Sequence, residues 1–89
     1  MVIDLGWGEL KSALVNLPDS ALVRQQDAAV RRRKLVDQYV AAFRRVEAAA
    51  HSDAKGLLTD LASNISNWVV PEKQAGLSAL VNAQISKLS

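Results

Sequence analysis

The chain has 89 residues, a formal net charge of +2 and no cysteine. The length leaves room for one domain, and we expect residues 1–89 to form a single helical domain. The absence of cysteine excludes disulfides, thiol catalysis and cysteine-based zinc sites. The amino terminus lacks the pattern of a secretory signal, and no apolar run approaches the ~20 residues that span a bilayer. These features predict a cytoplasmic protein without membrane contact.

The composition indicates an all-α fold, because alanine, leucine, glutamine and arginine are frequent and only two prolines occur. The first helix is predicted to be short. Its buried side is formed by leucines at helical spacing, namely Leu10, Leu14 and Leu17. Pro18 follows this helix, and Asp4 or Gly6 is placed to begin it.

A long second helix is predicted from Pro18 to His51, because no glycine and no further proline interrupts this segment. About thirty residues would make a helix of roughly 45 Å, against roughly 25 Å for each of the two helices that follow. The second half carries a wide apolar stripe of Leu35, Val36, Tyr39, Val40, Phe43 and Val46. In the first half, the same stripe holds Leu22, Gln25, Ala29 and Arg32. The first half is therefore predicted to project beyond its partners.

The third helix is an amphipathic segment from Asp53 to Val69. Its apolar positions are 57, 58, 61, 62, 65, 68 and 69. Ser52 or Asp53 is predicted to cap its first turn, and Pro71 places a boundary near Val70. Pro71 suits the first turn of a fourth helix. The predicted buried stripe of that helix comprises Leu77, Leu80, Val81, Ile85 and Leu88, with Gln84 as an interruption.

Charge is unevenly distributed along the chain. Residues 24 to 45 hold seven bases and two acids, a net charge of +5, whereas the rest holds four bases and seven acids, a net charge of −3. Such an asymmetry bears on partners rather than on fold. The seven bases are the candidate partner-binding residues: Arg24, Arg31, Arg32, Arg33, Lys34, Arg44 and Arg45.

Three interpretations of these bases are open: ordinary solvated charges, a surface for another protein, or a surface for nucleic-acid phosphates. Arg32 differs from the others because it falls inside the apolar stripe, next to Val36 and Phe43. A buried guanidinium requires a carboxylate, a set of carbonyls or open solvent. Glu47 also lies near the stripe. We expect both side chains to reach solvent or to bond across helices, with a partner interface as the alternative.

Catalytic and metal-binding patterns are weak in this sequence. The run His51, Ser52, Asp53 cannot form a catalytic triad, because adjacent residues at a helix start do not converge. Glu47 and His51 could supply two metal ligands at helical spacing, but no third ligand is evident. We therefore expect no enzyme activity, no cofactor, no metal and no small-molecule substrate.

The sequence predicts a small four-helix bundle, with a short first helix, a long basic second helix and amphipathic third and fourth helices. Helices two, three and four should form the main core, and homodimer formation is left open. The function expected is a non-catalytic protein-protein interaction module, such as an adaptor or an inhibitor. It would dock on another protein or on a second copy of itself through the basic half of the second helix. The alternative is a nucleic-acid-binding accessory protein that contacts phosphates through the same arginines and lysine.

Overall fold

The computed structural model describes residues 7–23 and 25–88, and of Gln25 only the backbone. Within this part of the chain, the regular structure is helical. It comprises α1 (Trp7–Val15), α2 (Ala28–Glu47), α3 (His51–Trp68) and α4 (Pro71–Lys87). The prediction of an all-α fold with four helices is confirmed. The predicted helix starts at Asp4 or Gly6 lie outside the described residues.

The second helix is shorter than predicted. It begins at Ala28, has 20 residues and is preceded by two short 3₁₀ turns, Asp19–Ala21 and Gln25–Asp27. At 1.5 Å per residue, α2 is roughly 30 Å long, which is close to the lengths of α3 and α4 with 18 and 17 residues. The prediction of a helix that outreaches its neighbours is wrong. No projecting basic half exists in the described structure.

Contacts distant in sequence explain why the chain turns before Ala28. Leu22 and Val69 form an isolated antiparallel β-bridge. The Val23 N–H donates to the Trp68 carbonyl at 2.8 Å, and the Val70 N–H donates to the Ala21 carbonyl at 2.8 Å. Full burial of a leucine contributes roughly 1.5–3 kcal/mol, whereas helix propensities of ordinary residues differ by less than about 0.7 kcal/mol. Packing at the α3–α4 corner therefore outweighs the helical propensity of this segment.

The helices enclose one core, with contacts between α1 and α2, α2 and α3, α3 and α4, and α1 and α4. The Trp7 ring lies 5.7 Å from the Tyr39 ring and 5.3 Å from the Phe43 ring, centroid to centroid. At the other end of α1, the Leu17 carbonyl accepts a hydrogen bond from Arg32. Helix α1 thus runs antiparallel to α2 and contributes to the core itself rather than only packing beside it.

Most of the predicted apolar stripes are buried as expected. The side chains with no more than 7 % exposure include Leu10, Leu14, Leu17, Leu35, Tyr39, Leu58, Leu61, Ile65, Val69, Leu77 and Val81. The polar residue in the α4 stripe, Gln84, is also fully buried. The periodicity of these segments therefore predicted their inward sides correctly.

The turn between α2 and α3 is closed by backbone hydrogen bonds. The Ala50 N–H donates to the Arg45 carbonyl at 2.8 Å, and the Ala49 N–H donates to the Val46 carbonyl at 3.0 Å. This pair of bonds is the Schellman motif, which ends a helix with one residue in the left-handed region. That residue is Ala49, with φ of 61°, although glycine is the residue that usually adopts this conformation.

Backbone geometry also sets the start of α3. The Ala50 carbonyl already accepts from the Ala54 N–H at 3.0 Å, so Ala50 is the N-cap and no side chain caps the first turn. The prediction that Ser52 or Asp53 caps this helix is wrong, because the Schellman turn begins the helix at His51. The predicted boundary near Val70 is confirmed, as is the position of Pro71 in the first turn of α4.

A candidate interaction surface on helix α2

The seven predicted partner-binding bases fall into three groups in the structure. Arg24 lies outside the described residues. Arg31 and Arg32 are partly buried at the start of α2. The remaining four, which we call the outer cations, are exposed: Arg33, Lys34, Arg44 and Arg45. The structure therefore divides a run of neighbouring bases that the sequence presents as one cluster.

Arg32 joins α2 to the segment that follows α1. Its guanidinium donates to the Asp19 carboxylate at 2.8 Å and to the Leu17 carbonyl at 3.1 Å. The Arg32 side chain is 26 % exposed and the Asp19 side chain is 67 % exposed. Of the three surroundings predicted for Arg32, namely a carboxylate, a set of carbonyls or open solvent, the structure shows a carboxylate and one carbonyl. These bonds give Arg32 a role within the fold.

Arg31 covers the aromatic residue at the end of α3. Its guanidinium carbon lies 4.9 Å from the centroid of the Trp68 ring, and both side chains are half-buried. A cation over a tryptophan face in partly exposed surroundings contributes about 0.5–1 kcal/mol. Arg31 therefore helps to fasten the start of α2 to the end of α3. This contact gives Arg31 a role within the fold, as the bonds to Asp19 and Leu17 do for Arg32.

The outer cations form two lines along α2. At 100° per residue, Arg33 and Arg44 lie about 20° apart around the helix and are separated by roughly 16 Å along it. Lys34 and Arg45 form a second line with the same separation, about 100° further round. None of the four makes an ion pair with the residues that the structure describes. They are therefore available to carboxylates or phosphates from outside.

Acidic residues interrupt the cationic surface. Asp37 is exposed, and the helical spacing places it between the line of Arg33 and Arg44 and the line of Lys34 and Arg45. Next to Arg45, an open depression of about 430 Å³ between α2 and α3 is lined by Arg45, Ser52, Asp53, Gly56, Leu57 and Asp60. The surface is thus of mixed sign, with the cations in excess. The significance of Asp37 was not recognised from the sequence, although its position follows from the same helical spacing.

Other chemistry finds little support in this fold. Across residues 7–23 and 25–88, no group of three histidine or acidic side chains is arranged to hold a metal ion. His51 and Glu47 are both exposed beside the α2–α3 turn. None of the described helices combines the length and the apolar character needed to cross a bilayer. The outer cations are therefore the surface with the clearest chemical character.

Comparison of the chain with protein-family models, with curated proteins and with solved structures gives no match. The function is therefore inferred from the charges, burial and contacts of the residues described above.

Proposed function

We propose that the protein is a non-catalytic interaction module that binds an acidic protein surface through the outer cations of α2. The observation that carries the proposal is the division of the bases. Arg31 lies over the Trp68 ring and Arg32 bonds to Asp19, whereas the outer cations are exposed without ion pairs among the described residues. The proposal requires exposed cations on α2 and does not require a projecting helix.

Charge complementarity would act mainly on the rate and selectivity of association. Four cations on one side of a helix steer an acidic partner into contact and disfavour basic proteins. Each exposed ion pair contributes only about 0.2–1 kcal/mol, so several pairs and some apolar contact are needed for useful affinity. We expect binding that weakens as salt concentration rises.

The position of Asp37 favours a protein partner over nucleic acid. A duplex presents a dense run of negative phosphates, and such a run would bring a phosphate close to the Asp37 carboxylate. A protein can place a lysine or an arginine opposite Asp37 and carboxylates opposite Arg33 and Arg44. Base stacking has little support in the described residues, because Trp7 and Tyr39 are buried, Phe43 packs against the Trp7 ring and Arg31 lies over the Trp68 ring. Phosphate binding by the same cations stays the alternative function.

The proposal is tested with two labelled probes, a glutamate-rich helical peptide with one central lysine and a random-sequence DNA duplex, measured by fluorescence anisotropy. The variant R33E/R44E reverses two outer cations. The control variant K11E/K73E reverses two exposed lysines on α1 and α4 and changes the net charge by the same amount. We expect R33E/R44E to bind the peptide at least about tenfold more weakly than the wild type, and K11E/K73E to bind nearly as well.

Equal loss in both variants would mean that only net charge matters, and no loss in R33E/R44E would mean that α2 is not the binding surface. Either result overturns the proposal. Tighter binding of the duplex than of the peptide, with affinity falling steeply with salt and lost in R33E/R44E, would establish the nucleic-acid alternative instead.

A further inference from the structure

The outer side of α2 carries an exposed valine beside charges of both signs. Val30 is 57 % exposed, so its side chain is available to a second helix. Val30, Arg33, Asp37 and Val40 follow one another at spacings of three, four and three residues, the spacing of a helix-helix seam. Val40 is partly buried against the protein's own core, so only its exposed part is available to a second helix. Arg33 and Asp37 are exposed and form no ion pair with each other. Both charges are free to meet opposite charges on another helix.

This pattern is complementary to itself when two helices run antiparallel. Suppose that a two-fold axis crosses the outer side of α2 at the level of Leu35. Val30 of one copy then meets Val40 of the other, and Arg33 of one copy meets Asp37 of the other. The two-fold axis repeats each contact, which gives two valine pairs and two arginine-aspartate pairs. An isologous interface requires this kind of self-complementarity.

The two registers shifted towards the end of α2 are disfavoured by like charges. Moving the pairing one step towards the end of α2 places Arg33 opposite Arg44. Moving it a further step places Asp37 opposite Glu47. Like charges held in contact are destabilising, so repulsion disfavours these two registers, and the register at the level of Leu35 is favoured by its own two attractive pairs.

We propose that a second copy of this chain occupies the outer side of α2 in this antiparallel register and competes there with the acidic partner. The inference rests on the proposed function, because it concerns how the same surface is regulated. Pairing places Arg33 against Asp37 of the second copy and removes it from the cations available to other proteins. Dilution frees the surface, and accumulation of the protein closes it.

The pairing is expected to be weak. Two helices of 20 residues with two valine contacts offer a small interface, and the net charge of +2 on each copy opposes association. We expect a dissociation constant on the order of 100 μM, which suits a contact that a better partner displaces.

Sedimentation equilibrium of the full chain at increasing concentration tests the pairing. The wild type should approach a mass of twice 9.6 kDa. R33D and D37R should each stay monomeric at concentrations where the wild type pairs, since each variant places like charges opposite one another. An equimolar mixture of R33D and D37R should form a dimer again, because both charged contacts in the mixed pair are attractive. Circular dichroism confirms that both variants keep their helix content.

Two results would overturn the inference: a wild-type mass of 9.6 kDa at the highest concentration reached, or a mixture of R33D and D37R that stays as monomeric as each variant alone. The glutamate-rich peptide separates this failure from that of the proposed function. If the wild type is monomeric and still binds the peptide through Arg33 and Arg44, only the self-pairing proposal fails. If the wild type is monomeric and does not bind the peptide, both the self-pairing and the proposed function fail.

Discussion

The segment between Pro18 and Glu47 was predicted to be one helix, and its two parts fold differently. Residues 28–47 form a regular helix, whereas residues 18–23 form a 3₁₀ turn followed by extended backbone at Leu22. Neither part contains an internal glycine or proline. The difference lies in the apolar side chains, because a helical continuation would carry Leu22 away from the α3–α4 corner where it is buried. Tertiary packing therefore decides the structure of residues 18–23, where no internal glycine or proline stops a helix.

The largest effect that would test this comparison is expected at Leu22. Leu22→Ala removes a side chain that is 1 % exposed and leaves a cavity beside Val69, so the free energy of unfolding should fall by about 2–4 kcal/mol. The control is Val23→Ala, at a neighbouring side chain that is 58 % exposed, and the expected change is within about 0.5 kcal/mol. Urea denaturation followed by circular dichroism measures both. Equal effects would mean that burial of the Leu22 side chain does not hold this segment.

The same comparison shows what the sequence can and cannot predict about the fold. Helices α1, α3 and α4 were predictable because their apolar residues repeat at helical spacing and proline marks two of their boundaries. The turn before Ala28 was not predictable, since the partner of Leu22 is Val69, far along the chain, and no local residue prevents a helix. The cap of α3 was missed for a related reason: the Schellman turn, rather than Ser52, sets its start.

A gain in stability is expected from a substitution at the α2–α3 turn. Ala49 adopts φ of 61°, where a β-carbon is crowded, and Ala49→Gly should raise the free energy of unfolding by about 0.5–1 kcal/mol. The matched control is Ala48→Gly, because Ala48 has φ of −85° and gains nothing from glycine. That control should be neutral or slightly destabilising. If both variants lower the stability, strain at Ala49 is not part of the native turn.

A smaller loss is expected at the contact between α2 and the end of α3. Arg31→Gln removes the cation over the Trp68 ring and should lower the free energy of unfolding by about 0.5 kcal/mol. Lys34→Gln, at an exposed position one turn later, is the matched loss of one positive charge and should have almost no effect. Thermal melts of both variants at one pH and one salt concentration make the comparison. A loss of equal size at Lys34 would assign the effect to net charge.

The candidate surface was predictable in part. Helical spacing alone placed Arg33 with Arg44 on one flank and directed Lys34 and Arg45 away from the apolar stripe. It also indicated that Arg32 would need a carboxylate, carbonyls or open solvent. It could not identify Asp19 as the acceptor, because that residue belongs to a segment predicted to be helical. It also could not predict the contact of Arg31 with Trp68, since this contact depends on how α2 and α3 pack at one end.

The most direct test of the account compares two adjacent arginines, Arg32 and Arg33, in two measurements. Arg32→Gln loses the bonds to Asp19 and to the Leu17 carbonyl, so it should lower the free energy of unfolding by about 1–2 kcal/mol while peptide affinity of the folded protein stays unchanged. Arg33→Gln should leave stability within about 0.5 kcal/mol and weaken binding of the glutamate-rich peptide about two- to fivefold. Equal effects of the two substitutions on both quantities would contradict the division of the arginines between fold and binding.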